Sequence, residues 1–224
     1  MRQRQAGFTL VELLVAVAIF AMVVAGLSVI YSTAFMQGTG LLTDTRMKGS
    51  SAVAMRAIQN ELAQATRLQL PAPGTSDNHL RGWTNMSPDG DPPVRPDMNG
   101  DSADTHWFHF CIQDQNMAGC GTAQNPVSCI FYYRGPDGAA WMSSGNINDA
   151  NCGTLVDGVE PDLLASSIVG VAPAAEGYFT RTSNSGVSEG NQVRVGFQMR
   201  QFATVNSPPV EFAVDSTYNV QFAP

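Results

Sequence analysis

Hydrophobic and polar positions divide the chain into two unlike parts. Residues Met1 to Gly7 are polar and carry Arg2 and Arg4, whereas Leu13 to Leu27 contains no charged or strongly polar side chain, and the apolar run reaches Ile30 if Ser28 is allowed. Eighteen residues in a helix span about 27 Å, enough for the hydrocarbon core of a bilayer. Beyond Tyr31 the pattern changes rather than stops. Gly38 and Gly40 loosen a helix there, each costing about 1 kcal/mol against Ala. From Leu41 a helical period resumes, with Met55, Ile58, Leu62 and Ala65 at steps of three and four and with Arg56, Asn60, Glu61 and Gln64 on the other faces. Pro71-Ala72-Pro73-Gly74 cannot continue it. The pattern predicts one long helix from Phe8 to about Leu70, apolar all round in its first half and amphipathic in its second.

Thr75 to Ser102 is rich in Pro, Gly and Asp without an apolar period, and predicts a long loop. Strands are expected after it at Thr105–Ile112, Val127–Arg134, Ala139–Ser143, Ser167–Ala172, Gly177–Thr182, Gln192–Arg200, Val210–Val214 and Thr217–Phe222. Gly135-Pro136-Asp137-Gly138 has the residues of a hairpin turn between the second and third. Val193, Val195, Phe197 and Met199 alternate with Arg194, Gly196, Gln198 and Arg200, so that strand buries one face. Antiparallel strands packed on the second half of one helix predict an α+β fold.

A basic stretch before an apolar block begins a cleaved secretion signal or a membrane anchor, and the positive-inside bias of Arg2 and Arg4 keeps the N-terminus in the cytoplasm. Two details fit neither reading. The small residues Ala16, Ala18 and Ala21 lie inside the apolar run rather than after it, and Glu12 places an acid at its start. A carboxylate in a spanning helix costs up to about 2.5–3.5 kcal/mol at the centre and usually marks function. Gly7-Phe8-Thr9-Leu10-Val11-Glu12-Leu13-Leu14 resembles the type III signal of the type IV pilin superfamily. The resemblance implies removal of a leader, residues 1–7, by prepilin peptidase between Gly7 and Phe8, with N-methylation of Phe8. It implies that Glu12 is the acidic residue that meets the N-terminal amine of a neighbouring subunit during assembly. An α-amino group ordinarily titrates near pH 8 and is charged at neutral pH, and such a buried ion pair fixes register more than it adds stability.

The resemblance divides the chain into the leader, a transmembrane and filament-core helix (8–35), an amphipathic half (36–70) and a β-rich periplasmic or extracellular head (71–224). Ala103-Asp104-Thr105, Gly119-Cys120-Gly121, Cys152 and Leu155-Val156-Asp157-Gly158-Val159-Glu160 are similar to the PilW-like minor pilins, close to the J-type minor pseudopilins of type II secretion. The length exceeds that of typical major pilins of the family. A minor pilin at or near the pilus tip that helps prime assembly is therefore the expected function. Its expected partners are prepilin peptidase, other minor pilins or pseudopilins, the major pilin and a tip adhesin. The expected location is the inner membrane before assembly and the surface pilus, or a periplasmic pseudopilus, after it. A pseudopilin of type II secretion is the alternative. An adhesin or ligand-binding head is another, with Trp83, Trp107, Trp141 and the acidic loop from Asp97 to Asp104 as candidate contacts.

Charge and candidate chemistry narrow the rest. The chain has 224 residues, 14% of them charged, with net charge −7 and a single lysine, Lys48. From residue 71 onward it has 16 acidic and 6 basic side chains, which excludes nucleic-acid binding by bulk electrostatics and suits an exported head. The four cysteines, Cys111, Cys120, Cys129 and Cys152, are spaced unlike zinc ligands, so disulfides are expected, in any of three pairings. Cys120–Cys152 matches the pair the resemblance implies, which leaves Cys111–Cys129 on two segments expected to be neighbours. His106, His109 and Cys111 invite a metal, but on a strand His106 points away from the other two. Asp97, Asn99 and Asp101 place oxygens at alternate positions as in the first half of a calcium loop, with Asp104 a further candidate ligand and Asp89 and Asp91 nearby. Ser102 replaces the usual glycine and Phe108 the final glutamate, so a solvated turn is the alternative. Calcium is the one cofactor candidate, and none is required. Ser50 and Ser51 lack a matched base and no hydrolase elbow or P-loop occurs, so no enzyme is expected.

Overall fold

The computed structural model describes residues 9–84, 106–113, 120, 127–135, 147–156, 158–172, 175–182, 192–202 and 209–220, with the backbone alone at 66 and 67. One helix, α1 (Leu10–Gln64), precedes nine strands: β1 (Ala65–Leu70), β2 (Ser76–Asp77), β3 (His79–Thr84), β4 (His106–Gln113), β5 (Ser128–Gly135), β6 (Asp162–Val171), β7 (Phe179–Arg181), β8 (Gln192–Phe202) and β9 (Pro209–Asn219). They form one antiparallel sheet in the order β1-β3-β4-β5-β6-β8-β7-β2, with β9 along the other side of β8. The long helix on a large antiparallel sheet is consistent with an α+β pilin-like fold.

The helix is unbroken through Gly38 and Gly40, where no neighbour approaches within 4 Å of a would-be Cβ. Its second half buries Met47, Ala54, Ile58 and Leu62 against one face of the sheet, where Leu80, Phe108, Phe110, Ile130, Ile168 and Phe197 meet them. The alternating set Val193, Val195, Phe197 and Met199 is buried there as expected.

The helix ends at Gln64 rather than near Leu70. Ala65 turns extended (φ −64°, ψ 126°) and residues 65–70 become β1, which pairs with β3. Pro71 disfavours helical geometry at Leu70, and as a strand the segment lays Leu68 in the core. The expected loop after Thr75 instead begins with β2 and β3. Strand β6 starts at Asp162, five residues before the predicted start, whereas β7 is only Phe179–Arg181. The two strands expected after Val210 are one continuous β9, because Asp215 stays in the ladder and pairs with Arg194 across to β8. The predicted segment Ala139–Ser143 and the turn before it, from Pro136 on, lie outside the described residues.

Ile58 is fully buried and Leu42, on the same helix, is 62% exposed. Ile58→Ala is therefore expected to cost about 2–5 kcal/mol of unfolding free energy. Leu42→Ala should stay within about 0.5 kcal/mol. Denaturation of the full chain in detergent micelles, followed by tryptophan fluorescence, measures both.

Candidate functional site

The site that the sequence singles out is the start of the helix. Thr9 is the N-cap (φ −79°, ψ 151°), and its Oγ1 accepts from the Glu12 backbone N–H at 3.3 Å. Glu12 Oε2 in turn accepts from the Thr9 N–H and Oγ1–H, both at 2.9 Å. This reciprocal capping box satisfies the first orphan donors of the helix. Both bonds fall on one carboxylate oxygen. Among the described residues Oε1 accepts none, so half of the carboxylate remains open to a further donor. Gly7 and Phe8 lie outside the described residues.

Among the described residues nothing buries the apolar stretch. Large side chains from Leu10 to Tyr31 are all exposed. An apolar surface of this extent in water marks a membrane or a protein partner. It is the one described helix long and apolar enough to cross a membrane.

At its other end the helix is fastened to the head by one carboxylate. Spacing alone puts Glu61 on a solvent face, but it turns toward the sheet. Its Oε2 accepts from Thr84 Oγ1 of β3 at 2.9 Å and from His106 Nε2 of β4 at 2.8 Å, and its Oε1 from the Tyr132 hydroxyl of β5. Arg134 donates to His106 Nδ1 at 3.1 Å, which leaves Nε2 as the ring's donor toward Glu61. Burial pushes the Glu61 carboxyl up, yet the hydrogen bonds from His106, Tyr132 and Thr84 hold it below the usual range. Burial and the Glu61 charge push the Tyr132 phenol far up, so it stays a donor.

The opposite face of β3, β4 and β5 is covered by residues 147–156. His109 and Cys111 share this face and His106 takes the other, as strand alternation requires. Arg81 Nε donates to His109 Nδ1 at 3.3 Å, His109 Nε2 meets His79 Nδ1 at 2.9 Å, and His79 Nε2 meets Asp149 Oδ1 at 2.9 Å. A guanidinium only donates, so the direction of the whole chain is set: both rings are neutral Nε2–H tautomers. Burial, with Arg81 and His79 alongside, pushes His109 well below its ordinary value. Arg81 also donates to the Ile147 carbonyl at 3.3 Å, and the Tyr133 hydroxyl accepts from Gly153 N–H at 2.7 Å and donates to the Thr154 carbonyl at 3.0 Å. Gly153 has φ +84° and lies so close to Phe131 that a Cβ would come within 2.7 Å of the ring.

Disulfides complete this cover, in a pairing other than the expected one. Cys111 joins Cys152 and Cys120 joins Cys129. In the β4–β5 register Cys111 faces Phe131 and Cys129 faces Gln113, which makes the two cysteines diagonal neighbours. Such neighbours lie about 7–8 Å apart, beyond disulfide reach. Cys111 instead pins the covering segment to the sheet. Its bond to Cys152 also removes it as a metal ligand.

Other expected contacts resolve differently. Trp83 and Trp107 are buried against each other, with ring centroids 4.6 Å apart, rather than presented to a ligand. Trp141 and the calcium candidates Asp97, Asn99, Asp101 and Asp104, with Asp89 and Asp91, lie outside the described residues. Among the described residues no group of three His, Cys, Asp or Glu side chains is arranged to hold a metal. Sequence reasoning missed Glu61, His79, Arg81 and Asp149.

Comparison with known proteins bears on the helix start. Residues 2–28 match the family described as the prokaryotic N-terminal methylation motif. No curated protein and no solved structure matches the chain. The motif is the signal of type IV pilins and pseudopilins, and with the bare apolar helix it supports the type IV pilin superfamily. It implies processing by prepilin peptidase, anchoring in the membrane before assembly and assembly with other pilins, and it points to a structural protein rather than an enzyme.

The two buried networks set the acid response. In the unfolded chain His109 binds a proton near 6.5, which the folded head refuses, so stability is expected to fall as pH drops below that value. A second loss begins below 4.5, where an unfolded Glu61 protonates before the folded one. Denaturation midpoints from pH 8 to pH 3 follow this, and His109→Gln should flatten the upper window alone. Peptic mapping without reduction is expected to yield Cys111–Cys152 and Cys120–Cys129. Replacing Cys111 and Cys152 together by Ala should cost about 2–4 kcal/mol.

Proposed function

We propose that the protein is a minor type IV pilin, PilW-like, that sits at or near the pilus tip and helps prime assembly. The observation that carries this reading is the helix start: the methylation motif over residues 2–28 leads into a capped helix whose Glu12 keeps one carboxylate oxygen open. After cleavage behind Gly7, Phe8 supplies a charged amine to a site where a neighbour's Glu12 offers an acceptor. Pairing the two removes both charges from an apolar bundle and fixes the axial step between subunits. The apolar half exchanges lipid for the helices of other pilins, and the amphipathic half holds the head outside the bundle.

The resemblance of the later segments and the length of the chain favour a minor component over a major one. Its partners are other minor pilins, the major pilin and a tip adhesin, and the surface pilus is its final location. A type II secretion pseudopilin has the same helix start and is separated by where the processed chain accumulates.

N-terminal peptides from sheared surface filaments and from membranes, compared by mass spectrometry, test the reading. The expected result is an N-methylated Phe8 terminus in the filaments. Processed chain in membranes alone would favour the pseudopilin, and an intact Met1–Gly7 leader in both would overturn the pilin reading. Gly7→Ala should abolish processing. Glu12→Ala should leave processing intact and lower surface piliation at least about tenfold, the effect of losing one buried charge pair.

A further inference from the structure

The sheet has three free margins among the described residues, and they differ in kind. Strand β1 is interrupted by two register irregularities, and β2 is two residues long. Strand β9 runs eleven residues against β8 without a register shift, and no described strand pairs with its outer side. Bulges and short strands are the ordinary means by which a protein blunts an edge. Strand β9 has neither, has no lysine, and has its single proline at its first position, Pro209.

Its side chains describe what would fit beside it. On the helix side Val210, Phe212 and Tyr218 are only partly buried and pack at the rim of the core. On the other side Glu211 and Asp215 stand four residues apart. Arg200 meets Glu211 at 2.8 Å and Arg194 meets Asp215 at 2.6 Å, both from β8. A row that runs from arginine on β8 to carboxylate on β9 continues with a cation on the next strand. The β9 edge of a second copy supplies none, because β9 contains no basic residue, and pairing it with itself sets one acidic row against another; the β1 edge offers Arg67 alone rather than two basic residues four apart.

We infer that the outer edge of β9 docks a β-strand from a different pilin head, one that places basic side chains four residues apart beside Glu211 and Asp215 and apolar ones over Val210, Phe212 and Tyr218. Backbone hydrogen bonds along the edge supply affinity, and the two carboxylates supply register and choice of partner. The inference rests on the proposed function only in calling the partner a pilin head. Strand addition at β9 is measured without reference to N-terminal processing, so the two ideas fail separately.

The test uses the full chain in detergent micelles and a labelled nine-residue peptide, Thr-Val-Arg-Val-Thr-Val-Arg-Val-Thr, with a control in which Glu replaces both Arg. Fluorescence anisotropy should show the basic peptide binding about tenfold tighter than the acidic one, as expected for two favourable rather than two unfavourable cross-strand pairs. Hydrogen exchange should slow within residues 209–219. Glu211→Gln combined with Asp215→Asn should abolish the preference between the two peptides, and a cooperative unfolding transition of the variant shows that it folds. Failure of both peptides to bind, equal binding of the two, protection elsewhere in the head, or self-association of the wild-type chain through this edge would each overturn the proposal.

Discussion

Glu61 is the constraint on which the rest of the molecule depends. The first half of α1 is exposed and meets none of the described head, so the head must hold the other half firmly enough to fix its orientation about the helix axis. Apolar packing of Met47, Ala54, Ile58 and Leu62 supplies adhesion but is non-directional. The Glu61 carboxylate adds direction, because its two oxygens receive donors from three adjacent strands, Thr84 on β3, His106 on β4 and Tyr132 on β5. Sliding the helix by one residue would break all three bonds and leave a buried charge without partners, a loss of about 3–5 kcal/mol for a group of this kind.

The far face of the same three strands shows a different solution to the same problem. A sheet with a helix on one face ordinarily presents the other to water, but here His79, Arg81 and His109 are buried on it. They can be buried because the covering segment brings partners: Asp149 for His79, the Ile147 carbonyl for Arg81 and a disulfide from Cys152 to Cys111. The covalent bond and the polar chain support each other. Without the disulfide the segment is held by hydrogen bonds and by the packing of Ile147 and Val156 with Phe131 and Tyr133, and without the segment a buried histidine pair loses its terminal carboxylate.

Much of this was legible in the sequence where a single period dominated. The apolar run to Ile30 gave the anchor, the three-and-four spacing to Leu62 gave the packed half of α1, and the alternation from Val193 to Met199 gave β8. Glu12 was visible because a lone acid in an apolar run is costly. What failed had one physical cause. Strand β3, His79-Leu80-Arg81-Gly82-Trp83-Thr84, is buried on both faces yet carries polar residues whose partners lie far away in sequence, Gln69, His109, Ile147 and Asp149, so no hydrophobic period marks it. Glu61 failed in the same way, since its spacing cannot show that Thr84, His106 and Tyr132 converge on it. The cysteine pairing depended on β-register, which places Cys111 diagonal to Cys129 and was not readable from their spacing.

The geometry divides labour along one helix. The capped start presents a bare apolar surface and a carboxylate that, among the described residues, accepts on one oxygen only. The far end presents the reverse, a carboxylate with both oxygens engaged inside its own chain. A helix completed from outside at one end and from inside at the other transmits position: where the apolar half is seated fixes where the head stands. Strand β9 lies directly alongside this helix, with the Tyr218 hydroxyl 3.5 Å from the Met55 carbonyl and Lys48 over the Phe212 ring. Seating the helix therefore also sets the direction in which the open edge of the sheet faces its neighbours.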